Sequence, residues 1–444
     1  MYRLVSAFLL LIHAAGNARL ADGIVGFDGT DRSRVPVLLS GTGLYASMAP
    51  GARQVTDGII PFEVNSPLWS DGAHKERYVS VPAGAKIVPT DTDKYVFPDR
   101  TVMVKNFLID TVYGDPKTSI HIETRFLIYR KPATSPGEWY GLSYRWRRDQ
   151  TDAELVAAQG QDFIHNVVQD GKPRGKRWRY PSRYDCAECH KGRGSLGFIT
   201  PQLNRPSAGN ASVNQLKDLL DKGILSANPV AGKSNGNAFR WVGLGAKGVT
   251  LEQRARSYLA SNCSQCHGND QFMGPTHDFD YLTTARKFRY SDDSLGGYVG
   301  KPGTNYPYLL DPGFPDSSEI LGKMTTRFGF AGGGFLQMPP LGTFQIDTAA
   351  LQTIKKWACS LGKVDTLSAA CRLPPGQNDA SFWDVPSAIR LAHGAVSRSR
   401  RAHARIRGQR FEVGDVGMDA AHPAAGISRF DSKGRIVPPI PVRD

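Results

Sequence analysis

The sequence predicts an α+β multidomain protein, in which an N-terminal antiparallel β-sandwich-like domain precedes mainly α-helical domains. The chain of 444 residues is longer than one hydrophobic core usually organises. Residues 59–180 contain short aromatic and β-branched segments separated by turn residues, whereas apolar residues recur at helical spacing further on. A hydrophobic content of 40% and a charged content of 22% are typical of a soluble globular protein rather than a disordered or membrane protein.

The first residues predict an export signal. Arg3 supplies positive charge, residues 4–15 form an apolar run, and small residues at 16–18 offer a cleavage site. The run is too short to span a bilayer. We therefore expect a signal peptide at 1–18 and a periplasmic mature protein without a membrane span; a buried N-terminal helix is the alternative.

The predicted β domain, 59–180, follows an irregular lead-in at 19–58. The spacing of its β-branched and aromatic runs is typical of an antiparallel sandwich. The predicted strands are 94–97, 102–107, 124–129, 139–146, 163–168 and 177–180. Aromatic residues in strands are more often core than a binding surface. The alternative is a carbohydrate- or partner-binding platform formed by Trp69, Trp139, Tyr140, Tyr144 and Trp146.

The helical part is predicted as a first segment with a linker at 181–248, a small helical domain at 249–363, and a final segment at 364–444. Apolar periodicity and capping residues define its helices. They are 213–219 ending near Gly223, a helix capped by Thr250 that runs into Cys263, a helix starting within 315–321, and a last helix from Asp347 through Ala358.

Two Cys-x-x-Cys-His motifs, at 186–190 and 263–267, carry the chemistry. This pattern signals a covalently attached c-type haem. Two cysteines one helical turn apart can reach both vinyl groups of one porphyrin, and the adjacent histidine then lies under the iron. The expected thioether cysteines are Cys186, Cys189, Cys263 and Cys266, and the expected proximal iron ligands are His190 and His267.

A zinc site is the main competing interpretation of the four cysteines. The two pairs are 77 positions apart, far beyond the usual spacing of zinc ribbons, and a histidine immediately follows each pair. A thioredoxin-like redox site would need a βαβ context, which neither motif has. We therefore expect two haem c groups.

The distal ligands differ between the two motifs. Met338, followed by Pro339 and Pro340, is predicted to bind the second iron, where a soft thioether raises the reduction potential; Met324 is the alternative. No methionine lies between His190 and Cys263, so the first distal ligand stays open. Its candidates are Met103, His121, His165, Met273 and His277, and an open coordination site is a further alternative.

The remaining cysteines, Cys359 and Cys371, are twelve positions apart and predict a disulfide in an oxidising compartment, with two buried thiols as the alternative.

The formal charge is +14, and residues 386–444 hold eleven Lys or Arg against five Asp or Glu. We expect this basic tail to be disordered, with docking to an acidic partner as the alternative. An exported protein rarely meets nucleic acid, so a redox partner is the better expectation.

The order of these features resembles a family of bacterial di-haem c-type cytochromes of largely uncharacterised role. The resemblance covers roughly residues 59–363. The matching stretches are 60–75, 123–128, 146–152, the first motif with 202–205, and the second motif with 338–340. It implies haem binding and electron transfer by the motif residues and Met338, and supplies neither a substrate nor the first distal ligand.

We therefore expect a class I-like cytochrome c domain at 249–363 and a periplasmic carrier that passes electrons to or from a dehydrogenase or terminal oxidase. No catalytic residue is assigned. The alternatives are a di-haem, peroxidase-like enzyme with an open first haem, and a carbohydrate- or partner-binding module with redox output.

Overall fold

The computed structural model describes most of the chain up to Cys371. The described residues are 20–90, 95–133, 137–190, 194–232, 240–267, 309–327, 330–331, 334–335, 337–362, 368–371, 429–430 and 436–437. The predicted signal peptide, Met273, His277 and most of the basic tail lie outside them. Within the described part, no helix combines the length and apolar character needed to cross a membrane.

The chain divides into two units, Met1–Val385 and Pro386–Asp444. The strands of the first unit are β1 (Tyr45–Ser47), β2 (Gln54–Val55), β3 (Ile60–Pro61), β4 (His74–Ser80), β5 (Val102–Asp110), β6 (Ser119–Arg130), β7 (Glu138–Trp146), β8 (Ala153–Leu155), β9 (Gln161–Gln169), β10 (Lys172–Tyr180), β11 (Phe330–Ala331) and β12 (Gly334–Phe335). In the second unit, β13 (Arg429–Phe430) pairs with β14 (Ile436–Val437).

The helices all belong to the first unit, so far as the chain is described. They are α1 (Asp22–Val25), α2 (Arg183–His190), α3 (Thr200–Leu203), α4 (Gln215–Asp221), α5 (Leu251–Asn262), α6 (Glu319–Thr325) and α7 (Thr348–Leu361). Together with the strands they confirm the predicted α+β class.

A six-stranded antiparallel sheet, in the order β3-β4-β5-β6-β7-β8, organises the N-terminal half. In its central register Arg77 lies opposite Lys105, and Lys105 lies opposite Arg125. Cross-strand partners point to the same face of a sheet. The three cations, which we call the basic row, therefore cross one face side by side.

Both faces of the sheet are covered. The lead-in at 19–58 covers one face, where Ile24, Leu39 and Leu44 pack on sheet residues such as Phe126 and Tyr144. On the other face, residues of α3 and α4 pack around Met103. The β9–β10 hairpin packs around Phe107 on that same face. The basic row lies between these last two hydrophobic clusters.

Most predicted strands are confirmed, and three details differ. At 95–97 Val96 makes only an isolated bridge to Val88, because Tyr95 and Phe97 enter the core as a loop rather than as a ladder. Strand β4 was not predicted, since its sequence lacks a clear apolar alternation. The layer opposite the sheet is the β9–β10 hairpin with short helices, not a second large sheet, among the described residues.

The helical region forms its own core. A capping box starts α5: the Thr250 hydroxyl accepts from the Gln253 amide, and the Gln253 side chain accepts from the Thr250 amide. Asp347 caps α7 by accepting from the Ala350 amide at 3.0 Å. Helices α5, α6 and α7 pack together, and Met324 of α6 is 7% exposed among them. The predicted cap at Thr250, the predicted start of the last helix near Asp347 and the predicted core role of Met324 are confirmed.

Cys359, at the end of α7, is bonded to Cys371 as a disulfide, with their Cα atoms 5.4 Å apart. Both cysteines are buried. The bond confirms the predicted pairing and ties the short helical turn at 369–371 to α7.

Replacing both Cys359 and Cys371 with alanine should destabilise the protein by about 3 kcal/mol, because a cross-link that closes a loop of this length restricts the unfolded chain. Chemical denaturation of the variant and of the unreduced wild type measures the difference. A reductant should lower the stability of the wild type and leave the double variant unchanged. Equal stability of the two proteins without reductant would contradict a formed disulfide.

Candidate functional site

Helix α2 presents the first Cys-x-x-Cys-His motif, and hydrogen bonds at its start fix the helix to the hairpin. The Asp185 amide donates to the Ser182 hydroxyl at 2.9 Å, and the Asp185 carboxylate accepts from the Ser182 amide at 2.9 Å. Arg179 of β10 donates to the same carboxylate at 3.0 Å. The motif thus begins on a helix whose first turn is anchored.

Cys186 lies directly against the backbone of β7. A Cβ atom added at Gly141 would lie 2.6 Å from the Cys186 sulfur, so a side chain at 141 would displace the thiol. Cys186 and Cys189, three residues apart on the helix, lie on the same side of it. Burial raises the pKa of Cys186 to about 11, which keeps the thiol protonated.

His190 is oriented by a hydrogen bond to the turn that follows the helix. Its Nδ1 lies 2.5 Å from the carbonyl oxygen of Gly194. A carbonyl only accepts, so Nδ1 carries the proton and Nε2 keeps its lone pair. Burial lowers the pKa of His190 to about 4, so the ring is neutral at pH 7. This is the arrangement in which histidines bind metals in proteins.

Gly194 is held in a position that only glycine fits. Its φ is +63°, in the left-handed region. A Cβ atom there would overlap the indole of Trp139. The carbonyl that orients His190 is therefore positioned by backbone geometry and by the sheet beneath it.

The second motif continues from α5 in a helical turn. The amides of Cys266 and His267 both donate to the Cys263 carbonyl, at 3.1 and 2.9 Å. The Asn262 side chain accepts from the Trp69 amide at 2.7 Å, which attaches the motif to the segment preceding β4. Burial raises the pKa of Cys263 to about 12. Burial, and then the Lys323 charge, lower the pKa of His267 to about 4.

The two motifs, far apart in sequence, meet through their second cysteines. An interaction between the Cys189 and Cys266 thiols lowers the pKa of Cys189 and raises that of Cys266, so the two side chains are close neighbours. Nothing in the sequence pattern indicated this proximity. The four thiols do not surround one metal point: among the described residues, no group of three or more His, Cys, Asp or Glu side chains is arranged to hold a metal ion.

The loop that carries Met338 lies at the end of α6. The Met338 amide donates to the Lys323 carbonyl at 3.0 Å, and Lys323 also acts electrostatically on His267. The buried Gln337 side chain donates to the Thr343 carbonyl at 2.7 Å and thereby closes the loop. Lys323 therefore accepts a hydrogen bond from the Met338 backbone and acts on His267 through its charge. The Met338 side chain is half-buried.

Three of the residues that the sequence suggests as the distal ligand of the first iron contact other groups in the structure. His121 contacts Glu76 at 3.3 Å and stacks on Trp146, which belongs to the core on the opposite face of the sheet. His165 lies 3.0 Å from the Tyr180 hydroxyl. Met103 faces the same side as the basic row but is packed within the core.

The basic row lies beside the first motif. Lys105 and Arg125 both act electrostatically on His190 and on Cys189. Arg125 donates to the buried Glu123 carboxylate at 2.7 and 2.9 Å. Burial, followed by the charges of Arg77 and Arg125, lowers the pKa of Lys105 to about 7. Sequence reasoning missed this row, although Lys105 is a single charge within the apolar run 102–109.

The donor set fits a covalently held porphyrin. Cys186, His190, Cys263 and His267 each retain accessible surface, although the surrounding protein desolvates them strongly. Each motif therefore presents two partly buried thiols and one neutral imidazole, which are the donor types that a covalently attached haem uses.

No family model matches the chain, and no match is found among curated proteins or solved structures.

Replacing Gly194 with alanine should destabilise the protein more than replacing Gly248 with alanine. Both residues have positive φ values, which cost an L-residue roughly 1 kcal/mol. Only at Gly194 does the added Cβ meet another group, whereas nothing lies within 4 Å of it at Gly248. Chemical denaturation of the two variants isolates the contact with Trp139, and equal losses of stability would refute it.

Proposed function

We propose that the protein is a di-haem c-type cytochrome that transfers single electrons. The observation that carries the proposal is the meeting of the two Cys-x-x-Cys-His motifs at Cys189 and Cys266, each motif with a buried, neutral histidine. A single zinc ion is a poorer explanation, because the described thiols do not converge on one point.

The chain's own residues prepare both attachment sites. Cys186 and Cys189 on one side, and Cys263 and Cys266 on the other, are the thioether donors. The Gly194 carbonyl holds His190 with Nε2 available as a ligand. When bound, haem iron supplies a one-electron couple whose potential depends on its axial ligands and surroundings. Adjacent attachment sites favour electron exchange between the two groups.

We assign Met338 as the distal ligand of the second iron. Gln337 closes its loop through the Thr343 carbonyl, and the Met338 amide is fixed to α6, the helix whose Lys323 acts on His267. Met324, the alternative, is committed to the helical core.

The aromatic residues of the β domain do not favour carbohydrate binding. Tyr144 and Trp146 are 0% and 5% exposed. The Trp69 indole donates to the Gln345 carbonyl at 3.0 Å. These side chains are structural, and the sheet serves as the support for the first motif.

We place the protein in the periplasm, as the predicted signal peptide indicates. The Cys359–Cys371 disulfide supports an oxidising compartment. The net charge of +14 favours an acidic redox partner, such as a dehydrogenase or terminal oxidase.

Protein produced with the haem-attachment machinery should contain two haems per chain. Replacing Cys186 and Cys189 together with alanine should remove one haem, and replacing Cys263 and Cys266 should remove the other. The absorbance of the alkaline pyridine complex, divided by protein concentration, measures the content. The Cys359→Ala/Cys371→Ala variant is the control and should keep two haems per chain. Wild-type protein without haem would refute the proposed function.

Replacing Met338 with alanine should convert half of the total iron to the high-spin ferric state and lower one of the two reduction potentials, because a soft thioether stabilises ferrous iron. Spectroelectrochemical titration measures both effects. Met324→Leu is the matched control: it conserves volume in the core and should leave both potentials unchanged. Unaltered spectra in Met338→Ala would show that another group binds this iron.

A further inference from the structure

Lys105 occupies an unusual place in the sheet. It lies on β5 between Met103 and Phe107, which share its face and belong to two different hydrophobic clusters. A cation in such a place normally has acceptors or a counter-ion, because an unpaired buried charge is costly.

The neighbouring cations all have acceptors. Lys75 donates to the Leu68 carbonyl at 2.8 Å, and Arg125 donates to Glu123. Arg77 lies 3.6 Å from the Glu63 carboxylate.

Lys105 differs from them: among the described residues, its amine makes no hydrogen bond or ion pair, and it lies 5.9 Å from the centroid of the Phe107 ring. The nearby acid is already engaged, since Glu123 accepts from Arg125, Ser143 and the Trp178 indole. As a residue, Lys105 is only partly buried, unlike its neighbours Val104 and Asn106 in the same strand.

The face of the sheet that carries Lys105 is the face on which the first motif packs, because Lys105, Arg125 and Ser143 are cross-strand partners and Cys186 lies against Gly141 of the same strand as Ser143. Lys105 acts electrostatically on His190 and Cys189, and α2 packs on β7 with Cys186 against Gly141. A neutral primary amine has a lone pair that binds iron. Burial and the two flanking arginines lower the pKa of Lys105 to about 7, so a large fraction of this amine is neutral at physiological pH.

We propose that Lys105 is the sixth ligand of the haem iron held by the first motif, opposite His190. The proposal rests on the proposed function. On binding, the ammonium group releases one proton to solvent and its nitrogen donates the freed lone pair. The assignment accounts for the absence of a methionine between His190 and Cys263. It also agrees with the contacts of His121, His165 and Met103, which are made with other groups.

Electron paramagnetic resonance and visible absorption of the ferric protein test the assignment in Lys105→Leu and Lys105→Arg. Leucine fits the apolar neighbours, and arginine keeps the positive charge while its guanidinium stays protonated and cannot bind iron. Wild type should have two low-spin irons. In both variants half of the iron should become high-spin at an unchanged content of two haems, and added imidazole should restore the low-spin signal.

Lys75→Arg is the matched control, since Lys75 lies on the same face and its amine already has carbonyl acceptors. Its spectrum should equal that of the wild type. Two low-spin irons in both Lys105 variants would overturn the assignment. A change in Lys105→Leu alone would also overturn it, because Lys105 would then act through its charge. A high-spin iron that is already present in the wild type and is unaltered in the variants would also overturn the assignment. These outcomes differ from the absence of haem, which refutes the proposed function itself.

Discussion

The hydrogen bonds of the segment from Asn65 to Asp71 are the constraint that joins the sheet to both motifs. The Asn65 side chain donates to the carbonyls of Pro201 and Asn204, at 2.9 and 3.0 Å, and so fixes the region behind the first motif. Ser66 contacts Ser261 in α5 at 3.0 Å. Asp71 accepts from the amides of Phe344 and Gln345, just beyond the Met338 loop.

The bond between Ser66 and Ser261 is buried, so removing one partner leaves the other unsatisfied at a cost of roughly 1–3 kcal/mol, whereas the bonds of Asn65 and Asp71 are partly buried. The segment itself has no regular secondary structure. It is nevertheless defined, because its polar groups have partners on α3, on α5 and in the loop at 344–345. The contact between Cys189 and Cys266 is therefore a consequence of a network that lies outside both motifs.

The sequence predicted features whose cause is local. The motifs, the cap at Thr250, the start of the last helix near Asp347 and the disulfide follow from residue types at fixed spacing. The structure has this cap, this helix start and the disulfide. The inward direction of the basic row could not be predicted, because it depends on the register of three strands. Lysine and arginine in strands usually face solvent, so only the isolation of Lys105 in an apolar run could have indicated it.

The surroundings of the first motif favour an electron carrier over a peroxidase-like enzyme. Such an enzyme needs an open iron and a group that moves protons near it. The buried acid at this place, Glu123, is 0% exposed, and its oxygens accept from Arg125, Ser143 and Trp178. The oxygens of this carboxylate are thus occupied by structural hydrogen bonds. With Lys105 on the iron, as we propose, the coordination site would be filled as well, and peroxide would have no position on that iron.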